Sequence, residues 1–120
     1  MALLEGTLGV KEEKKGDILI LHLKGKLDAI SSPIAEKKIF DSINNGQHKL
    51  LLDFAGVDYL SSAGMRMLLS TTKKLKTLSG KLVVSSVNAN VMDVLVMSGF
   101  DHILLLAETN DEALKRFDEV

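Results

Sequence analysis

The stretch Asp53-Phe-Ala-Gly-Val-Asp-Tyr-Leu-Ser-Ser-Ala-Gly-Met-Arg-Met-Leu-Leu69 runs from the end of an apolar strand into the first turns of an amphipathic helix. Between the two, Ser61 and Ser62 stand where the helix should begin. A helix start leaves several backbone N–H groups without partners and carries partial positive charge. A serine there caps the helix, a role worth about 1 kcal/mol. A phosphate carried by such a serine would be held by the same field. Gly64 falls in the first turn, where glycine weakens a helix by about 1 kcal/mol relative to alanine. Its missing side chain either leaves the backbone open to a partner or nucleotide, or lets the helix pack closely on a neighbouring strand.

Working outward, Lys49-Leu50-Leu51-Leu52-Asp53-Phe54 reads as a central buried strand and Val57 to Leu60 as a loop. The helix from Ser62 to about Leu78 places Met65, Leu68, Leu69, Thr72 and Leu75 on one face. Lys73, Lys74 and Lys76 suit its C-terminal end. Upstream, Leu8 to Lys15 is a candidate edge strand, and Gly16-Asp17 turns it into Ile18 to Leu23, which is apolar on both faces apart from His22. Ser32 as N-cap and Pro33 at the first helical position open a helix with Ala35, Ile39 and Ile43 inward, ended by Asn45-Gly46. Downstream, Leu82 to Val87 is a strand, and Asn88 caps a short helix holding Val91, Met92 and Leu95. Ile103 to Ala107 forms the last strand. Thr109-Asn110-Asp111-Glu112 fits a capping box before a final helix with Leu114 and Phe117 inward.

This order predicts an α/β fold in a single domain over residues 1–120. The sheet is expected to be mostly parallel, with four to five strands, an N-terminal antiparallel hairpin and about four helices. Of the residues 46% are hydrophobic and 26% charged, the proportions of an ordinary globular chain. A formal net charge of −1 gives no footprint for nucleic acid or an acidic membrane surface. Cysteine is absent, which excludes disulfides and thiolate metal sites and is compatible with a reducing cytoplasm. Met1 to Gly6 lacks the basic start and apolar run of a signal peptide, and no apolar stretch approaches the ~20 residues that cross a bilayer. A stand-alone, soluble, cytoplasmic domain is therefore expected.

The residues from Ser61 to Met65 resemble the signature of the STAS domain, the family of bacterial anti-sigma factor antagonists and their relatives. Sporulation-type members carry Asp-Ser-Ser-Gly-Leu at this helix start, and a partner kinase phosphorylates the first serine. Anchored on the glycine, Gly64 matches the motif glycine, Met65 its apolar follower and Ser62 the phosphorylated serine. Ser61 replaces the acidic residue and Ala63 the second serine. The similarity runs from Leu23-Lys24-Gly25-Lys26-Leu27-Asp28 to Gly99. It implies that the unphosphorylated chain binds an anti-sigma factor, itself a serine kinase, and so frees a sigma factor. Phosphorylation at Ser62 ends that binding and a phosphatase restores it. No cofactor is needed by the antagonist, because ATP belongs to the kinase.

The surface expected to meet the partner comprises Asp28, Ser61, Ser62, Gly64, Met65 and Arg66, with Met67 as a further candidate. Asp28 either helps position the Ser62 hydroxyl or a partner, or closes its own turn by bonding nearby backbone; Asp58 has the same two uses. No pair among His22, His48 and His102 has the helical two-histidine spacing of a metal site, so a solvated or core-satisfied role suits all three. Catalysis is not expected. Ser62 lacks the glycine two residues before it that a hydrolase nucleophile elbow needs, and no glycine-rich phosphate loop is present. Two alternatives stay open: a STAS docking subunit of a larger signalling or transport complex, and a small-ligand or nucleotide-binding module using the loops at Asp28 and Gly64.

Overall fold

The computed structural model describes residues 2–3 and 8–119. Six strands form one sheet in sequential order: β1 (Ala2–Leu3), β2 (Leu8–Lys15), β3 (Ile18–Leu27), β4 (Lys49–Leu60), β5 (Lys81–Ser85) and β6 (Leu105–Ala107). β1 to β3 are antiparallel, and β3 to β6 run parallel. The helices are α1 (Ser31–Asn44), α2 (Ser62–Thr77), α3 (Ala89–Met97) and α4 (Asn110–Arg116). The expected hairpin and parallel crossovers are present, and the two-residue β1 extends the sheet beyond them. Among the described residues no helix is long and apolar enough to cross a membrane.

Because parallel crossovers are right-handed, three successive strand–helix–strand connections lay their helices on one side of the sheet. There α1, α2 and α3 cover a continuous apolar layer that includes Leu21, Leu27, Leu50, Leu52, Phe54, Leu68 and Leu95. The chain ends on the opposite side. α4 covers a smaller cluster there, in which Ala113 and Phe117 meet Ile20, Leu51 and Val83, with Leu114 partly buried beside them.

Four local expectations are corrected. Val57 to Leu60 is not a loop, for β4 continues to Leu60. Its register against β3 shifts twice, between His22 and Lys24 and again between Gly25 and Lys26. Each bulge absorbs an extra residue in β4 and rephases the strand, so Val57 and Leu60 still turn inward although strict alternation fails at Ala55-Gly56. The first helix begins at Ser31, and Ser32 is not its cap: the Asp28 carboxylate accepts the N–H groups of Ile30 and Ser31 at 3.0 and 2.8 Å. The strand after α2 is shorter than expected and ends at Ser85. The last strand starts at Leu105, because Phe100–His102 forms a 3₁₀ turn and leaves Ile103 exposed.

Candidate functional site

β4 ends at Leu60 and α2 starts at Ser62, so Ser61 alone makes the turn between them. Its backbone is extended, and its hydroxyl accepts the Gly64 N–H at 3.2 Å as the N-cap. The same hydroxyl donates to the Leu27 carbonyl at 2.8 Å, and the Ser61 N–H donates to that carbonyl at 2.9 Å. Ser61 therefore staples the start of α2 to the end of β3 and is fully engaged. Ser62, the first helical residue, is exposed. The two serines have separated: one is a structural cap and the other presents its hydroxyl to solvent.

Gly64 is buried directly beneath them. A Cβ at this position would lie 2.6 Å from Leu60 Cδ1, 3.0 Å from Leu27 Cβ and 3.1 Å from the Leu27 carbonyl oxygen. Of the two uses read for this glycine, close packing is the one realised. Met65 is half-buried against the core, and Arg66 is exposed one turn beyond Ser62. Met67 is 2% exposed and belongs to the core, so it offers no surface to a partner. The buried stripe of α2 is Gly64, Met67, Leu68, Thr71 and Leu75, one position around from the expected face, because Gly64 brings that flank closest to the sheet.

Asp28 follows Leu27 and so stands at the same rim as Ser61. Its carboxylate bonds the backbone of its own turn. Ser31, which the sequence reading passed over, is fully buried; its hydroxyl accepts the Asp28 N–H and donates to the Lys26 carbonyl at 2.7 Å. Asn88 adds a third brace. It caps α3 through the Val91 N–H and donates its side-chain amide to the Val57 carbonyl at 2.8 Å. The rim is thus rigidly braced beneath an outer surface that carries Ile30, Tyr59, Ser62 and Arg66, with Ile30 64% exposed.

A family model described as the STAS domain matches residues 10–113, which takes in every element of this rim. The chain belongs to the STAS domain family. This STAS chain is 30% identical over 105 residues to the protein BtrV of Bordetella bronchiseptica, covering 88% of this chain and 90% of that one. It is 25% identical over 115 residues to the anti-sigma F factor antagonist of Paenibacillus polymyxa, covering 95% and 98%. The solved structure of the Bacillus cell fate determinant SpoIIAA in its phosphorylated form superposes with a TM-score of 0.70 at 21% identity, covering 90% of this chain and 98% of that one. That likeness is one of fold.

A second polar cluster lies on the α4 side of the sheet, away from the rim. His22 donates from Nδ1 to Asp53 at 2.6 Å and from Nε2 to Glu13 at 2.8 Å. Asp53 also accepts from the Asn110 side-chain amide at 3.1 Å and from the Ala55 N–H, and Asn110 accepts the Ser85 hydroxyl. Burial works against a charged His22, but the hydrogen bonds to Glu13 and Asp53 outweigh it and raise its pKa above the ordinary 6.5. Burial likewise opposes ionisation of Asp53; the Ala55 N–H, Asn110 and His22 together hold its pKa below 3.8. The hydrogen bond from His22 is the main reason that the Glu13 pKa is lowered. His22 is a satisfied histidine, as the sequence suggested, but its partners lie on different strands and no sequence spacing announces them.

Proposed function

We propose that this STAS chain is an anti-sigma factor antagonist whose binding is switched off by phosphorylation at Ser62. The observation that carries the reading is the division of labour at the start of α2: Ser61 is consumed as cap and staple, and Ser62 is left as the exposed hydroxyl. The partner is an anti-sigma factor that is itself a serine kinase, and a phosphatase reverses the modification in the cytoplasm. In the forward step the Ser62 oxygen bonds the γ-phosphorus of ATP bound to the kinase, the bond to the β-phosphate oxygen breaks, ADP leaves and the hydroxyl proton is released. The antagonist acts as substrate and binding protein. The name of the Paenibacillus polymyxa relative supports the reading.

Phosphorylation then blocks the complex without unfolding the domain. A phosphoserine carries about −1.5 to −2 charges at neutral pH, and the first turn of α2 contains no acidic residue to repel it. The cost falls on the interface, where a surface fitted to a neutral hydroxyl must desolvate a dianion. A loss of about 3 kcal/mol there weakens binding roughly a hundredfold. The test is to phosphorylate the chain with its cognate kinase, locate the phosphate by peptide mass spectrometry and titrate both forms against the anti-sigma factor by calorimetry. The expected result is phosphate on Ser62, a preserved melting transition and at least about a tenfold loss of affinity, or 1.4 kcal/mol. Phosphate on Ser61, equal affinities, or loss of the melting transition would overturn it.

A further inference from the structure

Arg66 lies four residues beyond Ser62, and positions four apart on a helix are surface neighbours with Cβ atoms about 5–6 Å apart. Both side chains are exposed. Among the described residues the Arg66 guanidinium makes no hydrogen bond or ion pair, whereas Arg116 pairs with Glu119 and the Leu106 carbonyl. Arg66 borders a cleft of about 140 Å³ between the starts of α1 and α2, lined also by Ser32, Pro33, Glu36, Ala63 and Met67. Ser32, in that lining, is 1% exposed and its hydroxyl has no hydrogen-bond partner. The carboxylate in the cleft, Glu36, accepts the Ser70 hydroxyl. At the head of α2 the Ser61 cap takes the Gly64 N–H and leaves those of Ser62 and Ala63 unclaimed among the described residues.

An unpaired guanidinium and a buried hydroxyl without a partner line one cleft together with Ala63, at the end of α2 whose first N–H groups are unclaimed, and each of these groups is suited to an anion. We infer that Arg66 is the counter-ion of a phosphate on Ser62, folding back over one helical turn to bind it at the mouth of the α1–α2 cleft. The inference rests on the reading of Ser62 as the modified residue. A guanidinium grips phosphate through paired, charge-assisted hydrogen bonds, which an ammonium group does not reproduce. Ser61 is neutral, so no carboxylate adjoins the phosphate in sequence, and Glu36, the carboxylate across the cleft, accepts the Ser70 hydroxyl and makes no ion pair with Arg66. One modification therefore changes two surface groups: Ser62 gains charge, and Arg66 is withdrawn from whatever it meets in the unphosphorylated complex.

The test installs phosphoserine at position 62 during translation, so that no kinase is needed, in the otherwise native chain and in Arg66→Lys and Arg66→Gln. The second ionisation of the phosphate is followed by ³¹P NMR at low salt, and melting temperatures are taken with and without the phosphate. Pairing with Arg66 favours the dianion. The native chain should ionise at a pH lower by at least about 0.5 than Arg66→Gln, roughly a threefold change in proton affinity, with Arg66→Lys between them. The melting temperature gained on phosphorylation should shrink in Arg66→Gln, and the unphosphorylated variants should melt with the native chain. Superimposable phosphate titrations in the native chain and Arg66→Gln would overturn the inference. Failure of the kinase to modify Ser62 is a separate result, read by mass spectrometry on unmodified protein; it would overturn the switch, whereas the pairing stands or falls on the phosphate titrations.

Discussion

The two faces of the sheet are built differently. On one, α1, α2 and α3 seal an apolar layer from Leu8 to Leu104, and the Ser62 rim is the edge of that layer. On the other, α4 covers a few apolar side chains, and its first residue, Asn110, joins the polar row Glu13, His22, Asp53 and Ser85 on the sheet. The first face is held by close packing, which does not respond to pH. The second is held partly by titratable groups. The proposed switch, which must present a small surface change without loosening the domain, would sit on the insensitive face.

The sharpest test of this contrast is a pair of neighbouring leucines in β4. Leu52 and Leu51 are both fully buried but point to opposite faces. Leu52→Ala, under three helices, should cost about 2–5 kcal/mol in a denaturant titration, and Leu51→Ala should fall in the lower part of that range because the single helix α4 can settle into the gap. Equal losses would mean that the α4 face is packed as firmly as the other. Next in size is Gly64→Ala. Alanine improves helix propensity by about 1 kcal/mol, but its methyl group has no room against Leu27 and Leu60, so a net loss of about 1–2 kcal/mol is expected in the same experiment.

A smaller effect separates the two serines. Ser61→Ala removes the cap and the staple to Leu27 and should cost about 1 kcal/mol, whereas Ser62→Ala should change stability by less than about 0.5 kcal/mol while removing the proposed phosphorylation site. Thermal melts of both variants check this, and a destabilised Ser62→Ala would contradict the division of roles at the rim. The smallest effect is a slope with pH on the α4 face. The His22 pKa is raised on folding, so its contribution is complete below about 6.5 and declines as pH rises through the folded value. The Asp53 pKa is lowered, so its contribution holds above 3.8 and is lost as pH falls through the folded value. Melting temperature should therefore decline from pH 6.5 upward in the native chain, and His22→Gln should flatten that decline.

Much of this was legible in the chain itself. The hairpin, the central strand from Lys49, the inward positions of α1 and the Thr109 cap of α4 follow from local periodicity and turn chemistry, and each is observed; the Glu112 carboxylate accepts the Glu108 N–H rather than that of Thr109, so the reciprocal half of the capping box is not made. The end of β4 was not legible, because two bulges against β3 carry the strand past Ala55-Gly56, and a bulge is defined only by its partner strand. At the rim, the motif marked the start of α2 but not which serine caps it. Both serines fit a helix start equally well in sequence.

Strand and helix periods are properties of neighbouring residues, and the hand of the crossover follows from the chirality of each residue, so the sequence by itself determined the order of elements, the parallel sheet and the placement of α1 to α3 on one side. The tertiary structure decided what depends on register between remote segments. Leu27 comes to the Ser61 hydroxyl and so frees Ser62; Leu27 and Leu60 close on Gly64 and so exclude any side chain; Asp53 comes level with His22 in the neighbouring strand and so holds its proton. Apart from that of Leu60 with Gly64, each of these contacts spans a separation over which no local pattern carries information, and only the alignment of β3 with β4 brings the partners within reach.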